Sequence, residues 1–149
     1  MDTINNVEVY EIKNNKQVLL KKGTNADISK EARVNAGKYF VTSDLAETNT
    51  KVKVRIYQPV ENERVTYKLT YNVPNAVINY GNSNISELNW NILSNWGHKF
   101  SNIDITFDLP KKNPQILRAW VRGTTNGKIT TSKKNGKVNF NLNSLSENK

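Results

Sequence analysis

The sequence predicts an all-β, mainly antiparallel fold: a β-sandwich or open barrel, with an immunoglobulin-like arrangement among the options and at most one or two short helices. Three observations favour this class. Apolar and polar residues alternate over long runs, Asn-rich turn signals separate these runs, and strands do not alternate with helical segments. The pattern gives about eight strands. We expect a single domain over residues 1–149, with a division into units 1–58 and 63–149 as the alternative.

The N-terminal region predicts a hairpin followed by an ambiguous segment. VEVYEI and KQVLLK flank Asn14-Asn15, and Asn tolerates the positive φ angles of tight turns. The next stretch, GTNADISKEARVNAG, fits either a helical turn or two around Ile28–Val34 or an irregular loop. A helix here would begin after Asp27 and end near Gly37. KYFVTS predicts a further strand.

Three runs show the clearest alternation: KVKVRIY, VTYKLTYNV and IDITFDLP. In each, every second residue is apolar, which places the apolar side chains on one face of a sheet and the polar ones on the other. This pattern is typical of antiparallel strands with one face buried. Pro110 ends the last run, because proline cannot donate a ladder hydrogen bond.

The C-terminal third predicts a meander of three strands, LRAWVR, KITTS and KVNFNL. Asn126-Gly127 and Asn135-Gly136 separate these runs, and Asn-Gly readily adopts a type I′ turn. The stretch ISELNWNILSNWG fits a helix capped by Asn84 or a strand. We favour the strand because the surrounding sequence is β.

The chain has 22 Lys and Arg against 13 Asp and Glu, a net charge of +9. Residues 1–75 carry 12 basic and 9 acidic groups, whereas residues 76–149 carry 10 and 4, so an anionic partner is expected on the second half. Ordinary solubility is the alternative explanation. Evenly scattered lysines argue against nucleic acid as the partner. The candidate anion-binding residues are Lys111, Lys112, Arg118, Arg122, Lys133, Lys134 and Lys137.

No residue set predicts catalysis, a cofactor or a metal site. The absence of Cys excludes disulfides, Cys-based zinc sites and a thiol nucleophile, and it fits a Gram-positive surface as well as a cytoplasm. His98 is the only histidine, and we expect a structural or solvent-facing role for it. A hydrolase acting on cell-wall polysaccharide is the competing hypothesis, with Glu87, Asp104 or Asp108 as acids.

The tryptophans are candidates for either core or ligand contact. Trp90 lies in phase with apolar neighbours, and we expect it in the core. In LRAWVR, one face holds Arg118, Trp120 and Arg122. We expect Trp120 to pack inward while the arginines extend to solvent; an exposed Arg-Trp-Arg strip is the alternative. For Trp96 both roles stay open.

An ordered set of motifs between residues 63 and 130 resembles a family. The set contains a Tyr-x-Leu-x-Tyr-x-Val strand, an acidic residue before an aliphatic-x-Trp step, a second Trp, a strand ending in Leu-Pro, and Trp-x-x-Gly followed by Asn-Gly. The matching residues are Tyr67, Leu69, Tyr71, Val73, Glu87, Leu88, Trp90, Trp96, Leu109, Pro110, Trp120, Gly123, Asn126 and Gly127. They resemble the extracellular part of the bacterial predicted membrane proteins called family of unknown function number 2207.

The resemblance implies an outward-facing β domain between an N-terminal signal and C-terminal membrane helices. We expect those two parts to lie outside this chain, because MDTINNVEVYEI lacks the features of a signal peptide and no apolar run approaches about 20 residues. Arg122 and Gly81-Asn82 stand where such proteins often have His and Asp. The resemblance implies no activity, so we expect a non-catalytic binding or interaction module. Its expected partner is an anionic cell-wall polymer or another surface protein.

Overall fold

The computed structural model describes residues 4–45, 50–93, 97–123 and 126–146. The described residues form eleven strands and one short 3-10 helix, Asn25–Asp27, which confirms the all-β prediction. All strand pairs are antiparallel except β3 with β4. The strands are β1 Asn5–Lys13, β2 Lys16–Leu19, β3 Lys21–Lys22, β4 Lys38–Leu45, β5 Thr50–Tyr57, β6 Thr66–Asn72, β7 Val77–Tyr80, β8 Ile85–Leu88, β9 Ile103–Asp108, β10 Gly127–Ser132 and β11 Lys137–Leu142.

The chain divides into two compact units, Met1–Trp90 and Asn91–Lys149. The first holds three sheets, with strand orders β2-β1-β6, β3-β4-β5 and β7-β8. The second holds one sheet of order β10-β11-β9. The single domain stays a prediction, as does the sandwich or barrel arrangement of the sheets.

The first hairpin follows directly from its turn residues. Lys13 pairs with Lys16, so only Asn14 and Asn15 form the loop between β1 and β2. Their φ angles are 49° and 60°, and positive φ at both central positions is the signature of a type I′ turn. The predicted hairpin is confirmed.

Leu20 marks the point where one extended segment passes from the first sheet to the second. Before it, β2 pairs with β1; after it, β3 pairs with β4. The Leu20 amide donates to the Val9 carbonyl at 2.9 Å, and its side chain is buried. The two sheets are therefore joined by continuous backbone as well as by packing.

The core of the first unit draws side chains from both of these sheets. Val7 and Val9 from β1 cluster with Leu20 and with Tyr39 from β4. The Tyr39 hydroxyl donates to the Val7 carbonyl at 2.8 Å, which satisfies a polar atom inside the cluster. Half-buried side chains around it are those of Ile4, Val41, Val54, Ile56, Tyr67 and Tyr71.

The segment between β3 and β4 is a tight irregular loop with no α-helix. Its only helical piece is the 3-10 turn Asn25–Asp27, and turns continue to Gly37, whose φ is +79°. Asp27 holds the loop together: it accepts from the Thr24 amide and hydroxyl and from Lys30. Of the two predicted alternatives, the irregular loop is correct, because these polar contacts satisfy the backbone locally.

β7 and β8 form a separate hairpin. The sequence predicted its second strand but not its first. The strand preference for residues 85–88 is confirmed, and the helical alternative is wrong there; the strand ends after Leu88. One face of the hairpin leaves Ile78, Tyr80 and Ile85 exposed. Each strand has four residues, so the exposed face of the hairpin is small.

The second unit is built around β11, whose Phe140 and Leu142 are buried. Its neighbours are β10 and β9, and β9 shows the predicted alternation of half-buried and exposed residues. The predicted meander is wrong in its first strand. LRAWVR, residues 117–122, forms no strand; β10 is an edge strand, and the third strand of the sheet is β9 on the other side of β11.

Asn135-Gly136 lies in the tight turn of the β10–β11 hairpin, as predicted, but neither Asn-Gly pair forms a type I′ turn. Gly127 is the first residue of β10, paired with Leu142, and its φ is not positive. The β10–β11 connection has four residues, 133–136, with the Gly136 amide donating to the Lys133 carbonyl at 3.1 Å. Only Gly136 has positive φ, at 59°, whereas a type I′ turn needs positive φ at both central residues.

Candidate functional site

Five of the seven predicted basic residues lie at one end of the second unit's sheet. We call this set the lysine end; it consists of Lys111, Lys112, Lys133, Lys134 and Lys137. Lys137 pairs with Asp108 on one side and with Ser132 on the other, so the end of β9 and the β10–β11 turn lie side by side. This register brings together two segments separated by some twenty residues.

Backbone hydrogen bonds fix the segment after β9 onto this turn. The Leu109 amide donates to the Gly136 carbonyl at 2.8 Å, and the Asn113 amide donates to the Lys133 carbonyl at 2.8 Å. Gly136 is required here, because a Cβ at that position would lie 2.7 Å from the Lys111 carbonyl oxygen. The lysine end is therefore held in place by its backbone.

The lysines divide into those that hold the loop and those that face outward. Lys112 donates to the Asp108 carboxylate and, at 2.7 Å, to the Leu109 carbonyl. Lys133 donates to the Gln115 carbonyl at 2.9 Å. In the described part of the chain, Lys111 and Lys134 make no hydrogen bond or ion pair through their ammonium groups, and both are exposed. Lys137 is exposed as well, but its charge acts on the Asp108 carboxylate, so Lys111 and Lys134 are the best placed to receive an anion.

Asp108 is the acidic residue of the lysine end. Its pKa is held below the usual range, first by the hydrogen bond from Lys112, then by the charges of Lys112 and Lys137. The carboxylate is therefore ionised at neutral pH and neutralises part of the local positive charge.

Arg118 and Arg122 lie outside the strands, in the irregular segment that follows the lysine end. Trp120 between them is 69% exposed, so its expected inward packing is wrong; all three side chains are exposed, but on an irregular segment and not on the predicted strand face. Without a strand ladder, no sheet face is available to bury the indole.

The three acids of the competing hydrolase hypothesis lie on two different strands. Glu87 lies on β8 in the first unit, and Asp104 and Asp108 lie on β9 in the second. Four residues along a strand span about 13 Å, beyond the roughly 5–10 Å that separates glycosidase carboxyl groups. Asp104 accepts from the Asn139 side chain at 2.6 Å. Among the residues the structure describes, no three His, Cys, Asp or Glu side chains could hold a metal ion.

Neither Trp90 nor His98 belongs to the buried core, so the expected core position of Trp90 is wrong. Trp90 is half-buried, outside the core cluster, and its Nε1 donates to the Tyr71 hydroxyl at 3.3 Å. It lines an open cleft of about 250 Å³ with residues 75, 76, 78 and 89. His98 is exposed. Trp96 lies outside the described residues.

Sequence reasoning missed a larger open cleft of about 450 Å³ in the first unit. It is mainly apolar, and Ala32 and Ala36 line it opposite Tyr57 and Pro59. The pairing of β4 with β5 and the hydrogen bond from the Gly37 amide to the Tyr57 carbonyl, 2.7 Å, bring these segments together. No local signal could have predicted the cleft, because its walls are distant in sequence.

The fold and the site together define an all-β domain with a basic, backbone-fixed end in its C-terminal unit. The chain belongs to the family of unknown function number 2207, described as the N-terminal domain of a predicted membrane protein, which matches residues 5–149. The match confirms the resemblance and extends it through the N-terminal third. No curated protein and no solved structure matches the chain. Across the described ranges, no helix is long and apolar enough to cross a membrane.

Proposed function

We propose that this domain is a non-catalytic binding module on the extracellular face of a membrane-anchored bacterial surface protein. Its ligand is an anionic cell-wall polymer, and another surface protein is the second candidate partner. The observation that carries the proposal is the convergence of Lys111, Lys112, Lys133, Lys134 and Lys137 at one end of a sheet. A polymer with repeated negative charges can contact several of them at once.

The electrostatics of the second unit support a polyanion over a single anion. Residues 91–149 contain ten basic and three acidic residues, a net charge of +7. One exposed ion pair contributes about 0–1 kcal/mol, so a measurable affinity needs several pairs. Lys112 and Lys133 hold the loop, so its backbone is ordered before the ligand arrives, while the ammonium groups of Lys111 and Lys134 are exposed to bind it.

The separation of the two acids on β9 supports a binding role over a hydrolase. A retaining or inverting glycosidase needs two carboxyl groups near one scissile bond, one of them with a raised pKa. The pKa of Asp108 is lowered, and Asp104 stands about 13 Å along the strand from it. Binding through fixed lysines needs no cofactor.

The test is a titration with teichoic acid, comparing the parent chain with the double variant Lys111→Glu/Lys134→Glu. We expect binding at low salt that weakens as salt rises, since the Debye length is about 10 Å at 0.1 M. The double variant should lose affinity by about tenfold or more. Lys16→Glu/Lys53→Glu, in the first unit, makes the same change in net charge and should bind nearly as the parent does.

Equal losses in the two double variants would mean that only net charge matters and would contradict a site at the lysine end. Binding that is indifferent to salt would contradict the electrostatic mechanism. Melting temperatures of all variants should agree, because the four lysines are exposed.

A further inference from the structure

The segment that follows the lysine end exposes large apolar side chains. Trp120 is 69% exposed, Ile116 is 66% exposed and Val121 is 40% exposed. Large contiguous apolar surfaces are uncommon on proteins that contact only water, and an exposed Trp flanked by arginines is typical of an interaction surface. This segment belongs neither to the lysine end nor to the core, so neither of them explains its exposed apolar side chains.

Its burial pattern separates an inward side from an outward side. Leu117 and Ala119 are half-buried, whereas the residues between and around them are exposed. We call the outward set the Trp120 strip; it consists of Ile116, Arg118, Trp120 and Arg122. It combines apolar side chains with two long cationic ones, whose stems can lie along apolar surface while the guanidinium groups stay hydrated.

We infer that the Trp120 strip docks this domain onto the interface of an anionic lipid bilayer. Ile116 and Trp120 enter the boundary between headgroups and acyl chains, where indole rings are favoured. Arg118 and Arg122 bind lipid phosphates, to which a guanidinium can donate two hydrogen bonds. The inference goes beyond the proposed function, because it assigns a second surface and a second partner.

Charge complementarity and position argue for the bilayer. The strip begins directly after Gln115, whose carbonyl accepts from Lys133, so the lysine end and the strip adjoin. Stable attachment to a membrane surface takes two signals, such as an apolar insertion and a polybasic patch, and this region supplies both. The family's members are predicted membrane proteins, so a bilayer belongs to the setting of the domain.

A protein partner fits the strip less well. A stable protein interface covers about 800 Å² on each side, with 20–30 residues. The strip offers one short extended segment with two large apolar side chains. Such a short segment is sufficient to bind a bilayer, because the lipid surface adapts to it and the neighbouring lysines add long-range attraction.

The experiment is co-sedimentation of the full chain with vesicles of phosphatidylcholine, either alone or with phosphatidylglycerol. We expect binding to the anionic vesicles at low salt and much weaker binding to phosphatidylcholine alone. Trp120→Ala should reduce the partition coefficient about tenfold. Arg118→Gln/Arg122→Gln should reduce binding to anionic vesicles only. Ile85→Ala removes a side chain that is 59% exposed in the first unit and should leave binding unchanged.

The two proposals fail in different ways. Trp120→Ala should leave the titration with teichoic acid unchanged, and Lys111→Glu/Lys134→Glu should leave some Trp120-dependent vesicle binding. Vesicle binding that Trp120→Ala does not weaken would overturn the inference, because the lysines alone would then account for it. A chain that stays in solution with anionic vesicles at low salt would also overturn it and would leave Trp120 as a contact for a protein.

Discussion

At the scale of single residues, the glycines of the two Asn-Gly pairs are needed for different reasons. Gly136 adopts a φ of 59° and lies against the Lys111 carbonyl, so both its conformation and its surroundings exclude a side chain. Gly127 has no such φ; instead, a Cβ there would lie 2.0 Å from Cε2 of the buried Phe140. The sequence indicated that both glycines matter, but the reason at Gly127 is packing across the β10–β11 pair.

Gly136→Val is expected to destabilise the second unit. A β-branched residue at positive φ and a clash with backbone should together cost about 2–4 kcal/mol. Urea unfolding measures the loss. Gly81→Val is the matched control, because Gly81 has no positive φ and a Cβ there would meet no described atom within 4 Å. Equal stability of the two variants would contradict the turn geometry described above.

At the scale of elements, alternation predicts a strand but not its partner. β5, β6 and β9 were predicted because each carries its own period-two pattern. LRAWVR carries a similar pattern and forms no strand, although β10 is an edge strand, because the pattern does not encode which segments meet in the fold. For the same reason the sequence could name seven basic candidates, but only the register of β9 against β11 shows that five converge.

The loop between β3 and β4 depends on an ionised Asp27. The pKa of Asp27 is held well below its usual range, first by the hydrogen bond from Lys30 and then by those from the Thr24 amide and hydroxyl. A lowered folded-state pKa gives stability that is present above the unfolded pKa, about 3.9, and is lost as the pH falls below it. The loop should therefore loosen in acid.

Asp27→Asn tests this. The variant should be less stable than the parent at pH 7, and the difference should shrink between pH 5 and pH 3. Urea midpoints across that range measure the effect. Glu31→Gln is the control, since the Glu31 side chain is 71% exposed in its ion pair with Arg33. Parallel pH profiles for the parent and Asp27→Asn would contradict the role of Asp27.

At the scale of the whole molecule, each unit carries its own buried residues, and the core of the first unit is shared by two sheets. Val9 is fully buried at the centre of the cluster that includes Leu20 and Tyr39. Few large side chains in the described residues are fully buried, so each one contributes much of a small total stability.

Val9→Ala is expected to cost about 2–3 kcal/mol, and hydrogen exchange should quicken in both β1–β6 and β4–β5. Val18→Ala makes the same chemical change on the neighbouring strand, where the side chain is 49% exposed, and should cost less than about 0.5 kcal/mol. Faster exchange confined to β1 and its ladder partners would contradict a shared core.

The pairing of β1 with β6 also affects how the chain folds while it is being synthesised. Asn5 pairs with Asn72 and Ile12 with Thr66, so β2 through β5 are synthesised between the two partners. Until residue 72 is available, β1 can pair only with β2, and its other edge presents unpaired amides and carbonyls. Because such long-range pairings form slowly, β1 is a segment of the nascent chain that needs protection from aggregation.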